Sequence, residues 1–590
     1  MTLLPSFCPT IWTGSPVSVN PAPVEVLGIR QSGCPSTLTG NDVRTVTIGT
    51  GATELQDAID NSINADGTHK GHTIVCPAGA TYTMGSPNYG IVTPQTTDDG
   101  WTVITTDASL PVGTRVASSQ ASSMFKIQSS TAAKTISALV VPYGSTGWRF
   151  IGADITAVEQ SYIDGNGQTQ EGVMYYLILV SGARVSFERC YIHGFATGAH
   201  MRRGLMIAGS DVQVWDSWFS EWQDDSDSQT IWCINRSDYS GQTSPDANNR
   251  IHIENNHLSA AAEIIMVGDG TATYATRDVT VLRNRFFKPR SWQTTLRDGS
   301  PNPQYDGILR AVKNHFEVKA GHRILVEGNI FENSWGYGLG GGQPGEMVVL
   351  NAGFQAMTDM MFRSNKMVSG TMGMAVSSGY ATPPARPQRI AFVNNLGLDC
   401  GDGLGFCNWH DSDVLFDHNT WIPSDGVANV AVSNLYKNGF AWQLIANDST
   451  VLVRNGVRHN IIGPGNWGSP LTRYDAANSA LTDAAFDVEM PDRDHAENAV
   501  YGGSTGTLTG FTGYTSLTAA GVTAADGTLT TDSPLKVGNT GYFGTDSKDI
   551  GVDHTILTAA LSGTIAAPVA SFTYVQAPGT YQVQFTDTSL

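Results

Sequence analysis

The sequence predicts an all-β solenoid, a parallel β-helix in which one winding stacks on the next, and three observations predict it. A strand–turn–strand phrase recurs along the chain, an Asn returns at one point of that phrase, and glycine is abundant while charge is scarce. The clearest copy runs from Arg323 to Phe331, with Ile324 and Val326 as an alternating apolar run, Glu327 and Gly328 as turn residues, then Asn329 and a second short strand. The phrase returns around Asn256, Asn284, Asn365, Asn395 and Asn419, and Cys190 and Ser217 hold the same point in two earlier copies. Copies spaced about 24 to 45 residues apart fit a solenoid with loops of varying length between coils. Alternation of β-branched and aromatic residues at period two signals strands with one buried face, and no copy carries a helical period. Stacked Asn side chains suit tight bends and can form an amide ladder. A sandwich of hairpins is the competing fold, but Asn-Gly turns between the runs are mostly absent.

A chain of 590 residues exceeds one compact core, and a solenoid escapes that limit because each coil buries itself against its neighbours. Charged residues make up 15% and the net charge is −19, without the clustered Lys and Arg of a phosphate-binding groove, so no nucleic-acid partner is expected. No apolar run reaches membrane-spanning length, so no membrane insertion is expected. The first residues lack a basic segment followed by an apolar stretch, so no secretory signal is visible there. Seven cysteines form no disulfide framework, although Cys8 and Cys34 could pair in an oxidising compartment.

Residues 1–48 read as an extended arm, 49–495 as the coil, 496–558 as a C-terminal cap and 559–590 as a linker with two further strands. Thr53 is placed to cap a short amphipathic helix with Leu55, Ala58 and Ile59 on one face. That helix, followed by Gly71–Tyr82 with its Thr-Ile-Val-Cys-Pro-Ala-Gly core, resembles the opening of right-handed parallel β-helix proteins of the pectin-lyase-like superfamily. The resemblance covers roughly residues 50–555 and implies that the helix plugs the open end of the coil, where apolar stacks and a strand edge would otherwise meet water. Ser571–Tyr574 and Val583–Ser589 resemble the first strands of a PKD-type module.

The densest acidic cluster, Asp224, Asp225 and Asp227, is flanked by Trp218 and Trp222. Crowded carboxylates serve as calcium ligands or acid–base pairs, and aromatic faces suit sugar rings, although an exposed acidic turn is the plainer alternative. Asn256 followed by Glu263-Ile-Ile is similar to the calcium-binding segment of chondroitinase B and alginate lyases, which implies Asn256 and Glu263 as metal ligands with Asp225 beside them. A second Glu and a Lys of that pattern are replaced here by Ala261 and Gly268. Lys313, His315, Glu317 and Lys319 alternate on one predicted strand face. Lys319 or Arg203 is the candidate base for removing the proton alpha to a uronate, with Asp224 and Asp227 as further catalytic candidates and Lys313, Glu317, Trp218 and Trp222 as substrate contacts; surface salt bridges are the competing reading for the Lys and Glu residues. The expectation is an extracellular polysaccharide-active protein, an eliminase of an acidic glycan using Ca2+. Its rivals are a virion tailspike or surface adhesin, which a homotrimer would suit, and a structural filament.

Overall fold

The computed structural model describes residues 38–562, apart from 84–89, 130–136, 159–160, 164–168, 172–174, 198–200, 225, 236–248, 270–271, 297–298, 337–344, 353–356, 371, 378–386, 401, 408–411, 424–441, 446–455, 464–470, 474–481, 485–493 and 503–507, together with 572–576 and 583–587. The strands form three long parallel sheets of 14, 14 and 12 strands, the right-handed parallel β-helix that the repeats predict. Each coil gives one strand to the first sheet, turns through the Asn-bearing bend into the second, then crosses a loop into the third.

The predicted alternation becomes columns of buried side chains. Val185, Val212, Ile251, Val279, Ile324, Met360, Ile390 and Val414 lie in register on successive strands of the first sheet, all buried. A parallel column contains stacked rings, with Phe362, Phe392 and Phe416 at centroid distances of 5.0 and 4.7 Å. Such stacks add specific ring contacts to the burial that drives the coil.

The Asn residues form the ladder. Asn365 Oδ1 accepts from the backbone N and the Nδ2 of Asn329, while its own Nδ2 donates to Asn395 Oδ1 and Val326 O, all at 3.0 Å. The same linkage continues to Asn256 in one direction and through Asn419 and Asn460 to Asn498 in the other. The left-handed residue of the bend is the one before the Asn: Asn255, Arg283, Gly328, Ser364, Asn394, His418, His459 and Glu497 have φ between 51° and 66°. The bend therefore splits its work between two positions, one turning the chain and the next bonding to the neighbouring coil.

The stack passes both expected boundaries. Arg44–Thr47 already pairs with His72–Cys76, and Asn498–Tyr501 pairs with Phe511–Tyr514. The helix Glu54–Asn61 buries Leu55, Ala58 and Ile59 as expected, but Thr53 makes no side-chain cap to the backbone. Residues 515–562 fold back as a strap over the outer face of the second sheet, where Leu535, Ile550, Val552 and Leu557 pack on Leu396, Leu398, Ile422 and Ile461. Its helix His554–Ser562 reaches Gly328, where a Cβ would lie 2.4 Å from Ala560 O. Phe572–Gln576 and Val583–Asp587 pair antiparallel. Residues 1–37, and with them Cys8 and Cys34, lie outside the described residues.

Candidate functional site

On the outer face of the third sheet, successive coils bring together residues far apart in sequence. Arg203, Gln229 and Glu263 are register partners on three consecutive strands, Arg203–Ile207, Gln229–Cys233 and Glu263–Val267. Lys313 comes from the approach to the next strand, Phe316–Val318, so four coils converge on one spot. The Lys313 ammonium lies 3.3 Å from Asp227 Oδ1 and 3.4 Å from Glu263 Oε1. Arg203 reaches Asp227 Oδ2 at 2.8 Å, and Gln229 Nε2 donates to Asp227 Oδ1 at 2.7 Å and to Glu263 Oε2 at 2.6 Å. Lys319 sits 3.6 Å from Glu317, whose charge also acts on Glu263.

The two carboxylates are pushed apart. Burial, the Glu317 charge and Asp227 drive Glu263 up to about 7 against the pull of Lys313. Burial also disfavours ionised Asp227, but Lys313 and Arg203 overcome it and hold that carboxylate below its usual range. Burial opposes the charge on Lys313, yet Glu263 and Asp227 outweigh it and keep the ammonium protonated beyond its ordinary range. Near neutrality the site thus holds a fixed anion, a fixed cation and a carboxyl that exchanges its proton. Beneath it, the buried Lys288 ammonium donates to the carbonyls of Ala260, Ala261 and Ala262 at 2.6–2.9 Å, and burial lowers its pKa strongly.

Beside this charged ribbon lies an apolar patch, Met206, Trp232 and Met266 in register, with Tyr176 and Leu179 packed against it. The Arg203 guanidinium lies 4.5 Å from the centroid of the Trp232 ring and Arg202 lies 5.2 Å from that of Tyr175. Met206, Trp232 and Met266 are buried, so the surface beside the arginines is that of the half-buried Tyr175 and Tyr176, whose rings suit a ligand with both apolar faces and polar edges.

The structure brings together Arg203, Asp227, Glu263, Lys313, Glu317 and Lys319 from the sequence candidates. It places others elsewhere. Trp222 is wholly buried in the coil interior, and Trp218 stacks on His257 at 3.7 Å beneath Leu110 and Val116 on the second sheet, so neither tryptophan lines this face. Asp224 is buried as a turn anchor, accepting from the backbone of Ser226 and Asp227, with Arg202 at 3.3 Å. Asn256 is a rung of the ladder, its amide engaged with Asn284 and Val214. Asp225 lies outside the described residues. His315 departs from the expected polar face because the strand begins only at Phe316; it is fully buried and contacts Asn333 O at 3.1 Å.

Gln229, Trp232, Tyr175 and Tyr176 escaped the sequence reading. Gln229 sits in register with Glu263, a relation that alignment of the third strand of each coil would have exposed. Calcium takes six to eight oxygens, and the sequence reading assigned it Asp225, Asn256 and Glu263. Of its expected ligands Asn256 is in the ladder, and the ammonium of Lys313 already bridges the carboxylates of Asp227 and Glu263.

Fold and face together define a right-handed parallel β-helix with a mixed-charge cluster on one sheet. No family model and no curated protein match the chain. Among solved structures, the PL6 family alginate lyase AlyGC aligns over 80% of this chain and 53% of its own, at 11% identity and a TM-score of 0.46. PfbA, a surface adhesin of Streptococcus pneumoniae, aligns over 80% and 91%, at 10% identity and a TM-score of 0.40. A double mutant of the tailspike protein of E. coli bacteriophage HK620 aligns over 79% and 78%, at 12% identity and a TM-score of 0.35. The chain spans about half the length of the lyase. These are likenesses of fold. Among the described residues no helix is long and apolar enough to cross a membrane.

Proposed function

We propose that the outer face of the third sheet binds an acidic polysaccharide outside the cell, or on a virion, and cleaves it by elimination. The observation that carries this reading is the convergence of Arg203, Asp227, Glu263, Lys313 and Lys319 beside the Trp232 patch. Lys319, whose side chain is 26% exposed and lies 3.6 Å from Glu317, takes in its neutral amine form the proton alpha to the uronate carboxylate. Arg203 and Lys313 neutralise that carboxylate and the enolate it becomes. The bond to the leaving oxygen then breaks, a double bond forms in the sugar ring, and the departing oxygen takes a proton from water or from the Lys319 ammonium formed in the first step.

Incubating the chain with uronic-acid polymers tests this. Lys319→Ala is expected to abolish the rise in ultraviolet absorbance of unsaturated products while circular dichroism stays unchanged, and full activity in that variant would overturn the assignment. A second reading, glycan binding without turnover, draws support from the internal partners that already engage Asp227 and Glu263. Glycan-array binding with no absorbance change on any uronate polymer would decide for it, and trimer formation in solution would add weight.

A further inference from the structure

A second cluster lies at the Asn-bearing edge, several windings further along the coil than the charged cluster of the third sheet. His418 and His459 occupy the left-handed position of consecutive bends, with ring centroids 4.5 Å apart. Each turns Nδ1 towards the same acceptor, Asp417 Oδ1, at 2.8 Å. A carboxylate behind Nδ1 fixes the tautomer that presents Nε2 forward as a lone pair, the arrangement found behind metal-bound imidazoles. In front of those nitrogens stand two carboxylates. Asp546 comes from the strap, with Oδ2 3.1 Å from His418 Nε2 and Oδ1 4.0 Å from His459 Nε2; Glu497 comes from the next bend, with Oε2 2.7 Å from His459 Nε2.

Each Nε2 that faces a carboxylate needs either a proton of its own or a cation between the two, and His459 Nε2 stands at hydrogen-bond distance from Glu497 Oε2. His418 Nε2 is buried and makes no hydrogen bond despite the nearby Asp546 oxygen. Asp417, His418 and His459 form a group whose metal-ligating atoms lie within 4.8 Å of one another. Donors on a tetrahedral zinc ion, with bonds of about 2.0–2.2 Å, stand roughly 3.3 Å apart; the separations of 2.7–4.0 Å bracket that value.

We propose that His418 and His459, with Asp546 and Glu497, form a zinc site that clamps the C-terminal strap onto the coil, Asp417 orienting both imidazoles. The strap is also tied at this edge by hydrogen bonds, among them Gly551 N to His459 O, Thr545 N to Glu497 Oε2, Val552 N to Thr420 Oγ1, and the Asp553 backbone to the Asn394 amide in both directions. A metal bond joining residues 418 and 459 to 546 closes a long loop of chain, so occupancy protects the strap in particular.

The full-length chain, freed of metal with a chelator and titrated with zinc chloride, tests this. One zinc per chain is expected by native mass spectrometry, with a higher thermal midpoint and slower protease cleavage within residues 540–562. The double variant His418→Gln and His459→Gln is expected to lose both zinc and protection. Asp546→Asn, on the partly exposed strap, is expected to stay folded and to weaken zinc binding at least tenfold. The proposal is overturned if the folded wild-type chain takes up no zinc at micromolar free concentration, or if both variants bind it as tightly as wild type.

Discussion

The two long sides of this solenoid face opposite fates. At the Asn-bearing edge and the adjoining second sheet, chain segments from both ends cover the coil. Arg115 bonds to Asn255 and Arg283 from the N-terminal side, with Leu110 and Val116 packed over Trp218, and the strap covers positions from Gly328 to Glu497. The third sheet instead keeps partly exposed charge between Arg203 and Lys319. Hydrogen bonds at the covered edge run coil to coil and serve cohesion. Those of the open face gather around two carboxylates of unlike acidity, an arrangement suited to chemistry.

The largest break in this contrast should come at the ladder. Asn365→Leu removes four bonds and strands their buried partners, so a loss of about 4 kcal/mol is expected in urea denaturation. Next, Lys313→Met leaves two close carboxylates without their ammonium, and a loss of about 3 kcal/mol at neutral pH, with loss of activity, is expected.

The pH dependence separates the two sides. Glu263 titrates near 7 when folded and near 4.5 when unfolded, so the folded chain holds the extra proton and stability falls as pH rises between those values. Glu263→Gln should flatten that fall in thermal melts. His257, at the covered edge, is pushed down to about 3 by burial and by Arg285 and Arg115, so its contribution is lost as pH falls from 6.5 towards 3. His257→Gln should flatten the acid limb alone. The smallest change is reserved for Lys319→Ala, where stability should move by less than about 0.5 kcal/mol although activity disappears.

The coil was legible because its information is local and repeated. Ile324, Val326 and Asn329 announce inward columns and a bend within one short stretch, and every copy repeats the message. The bend's left-handed residue was harder to place, since Arg, Ser, His and Glu fill it as readily as Asn and Gly. The site was half legible: residue types in Asp227, Glu263, Lys313 and Lys319 marked it, but which coil lies over which depends on loops of unequal length. Trp222 misled because aromatic character says nothing of side, and a strand that places Phe219 inward carries Trp222 inward as well across the irregularity between them. The histidine clamp was invisible because Asp546 meets His418 only after the chain doubles back.

The amide ladder also sets how such a chain can change in length. Each inner rung bonds to the Asn above and the Asn below it, so a deletion that leaves half a winding strands the rungs on either side, whereas removing a whole winding lets the flanking Asn residues meet again. Growth and shrinkage of this architecture therefore proceed in integer steps, and loops between rungs are free to vary in a way that the rungs are not.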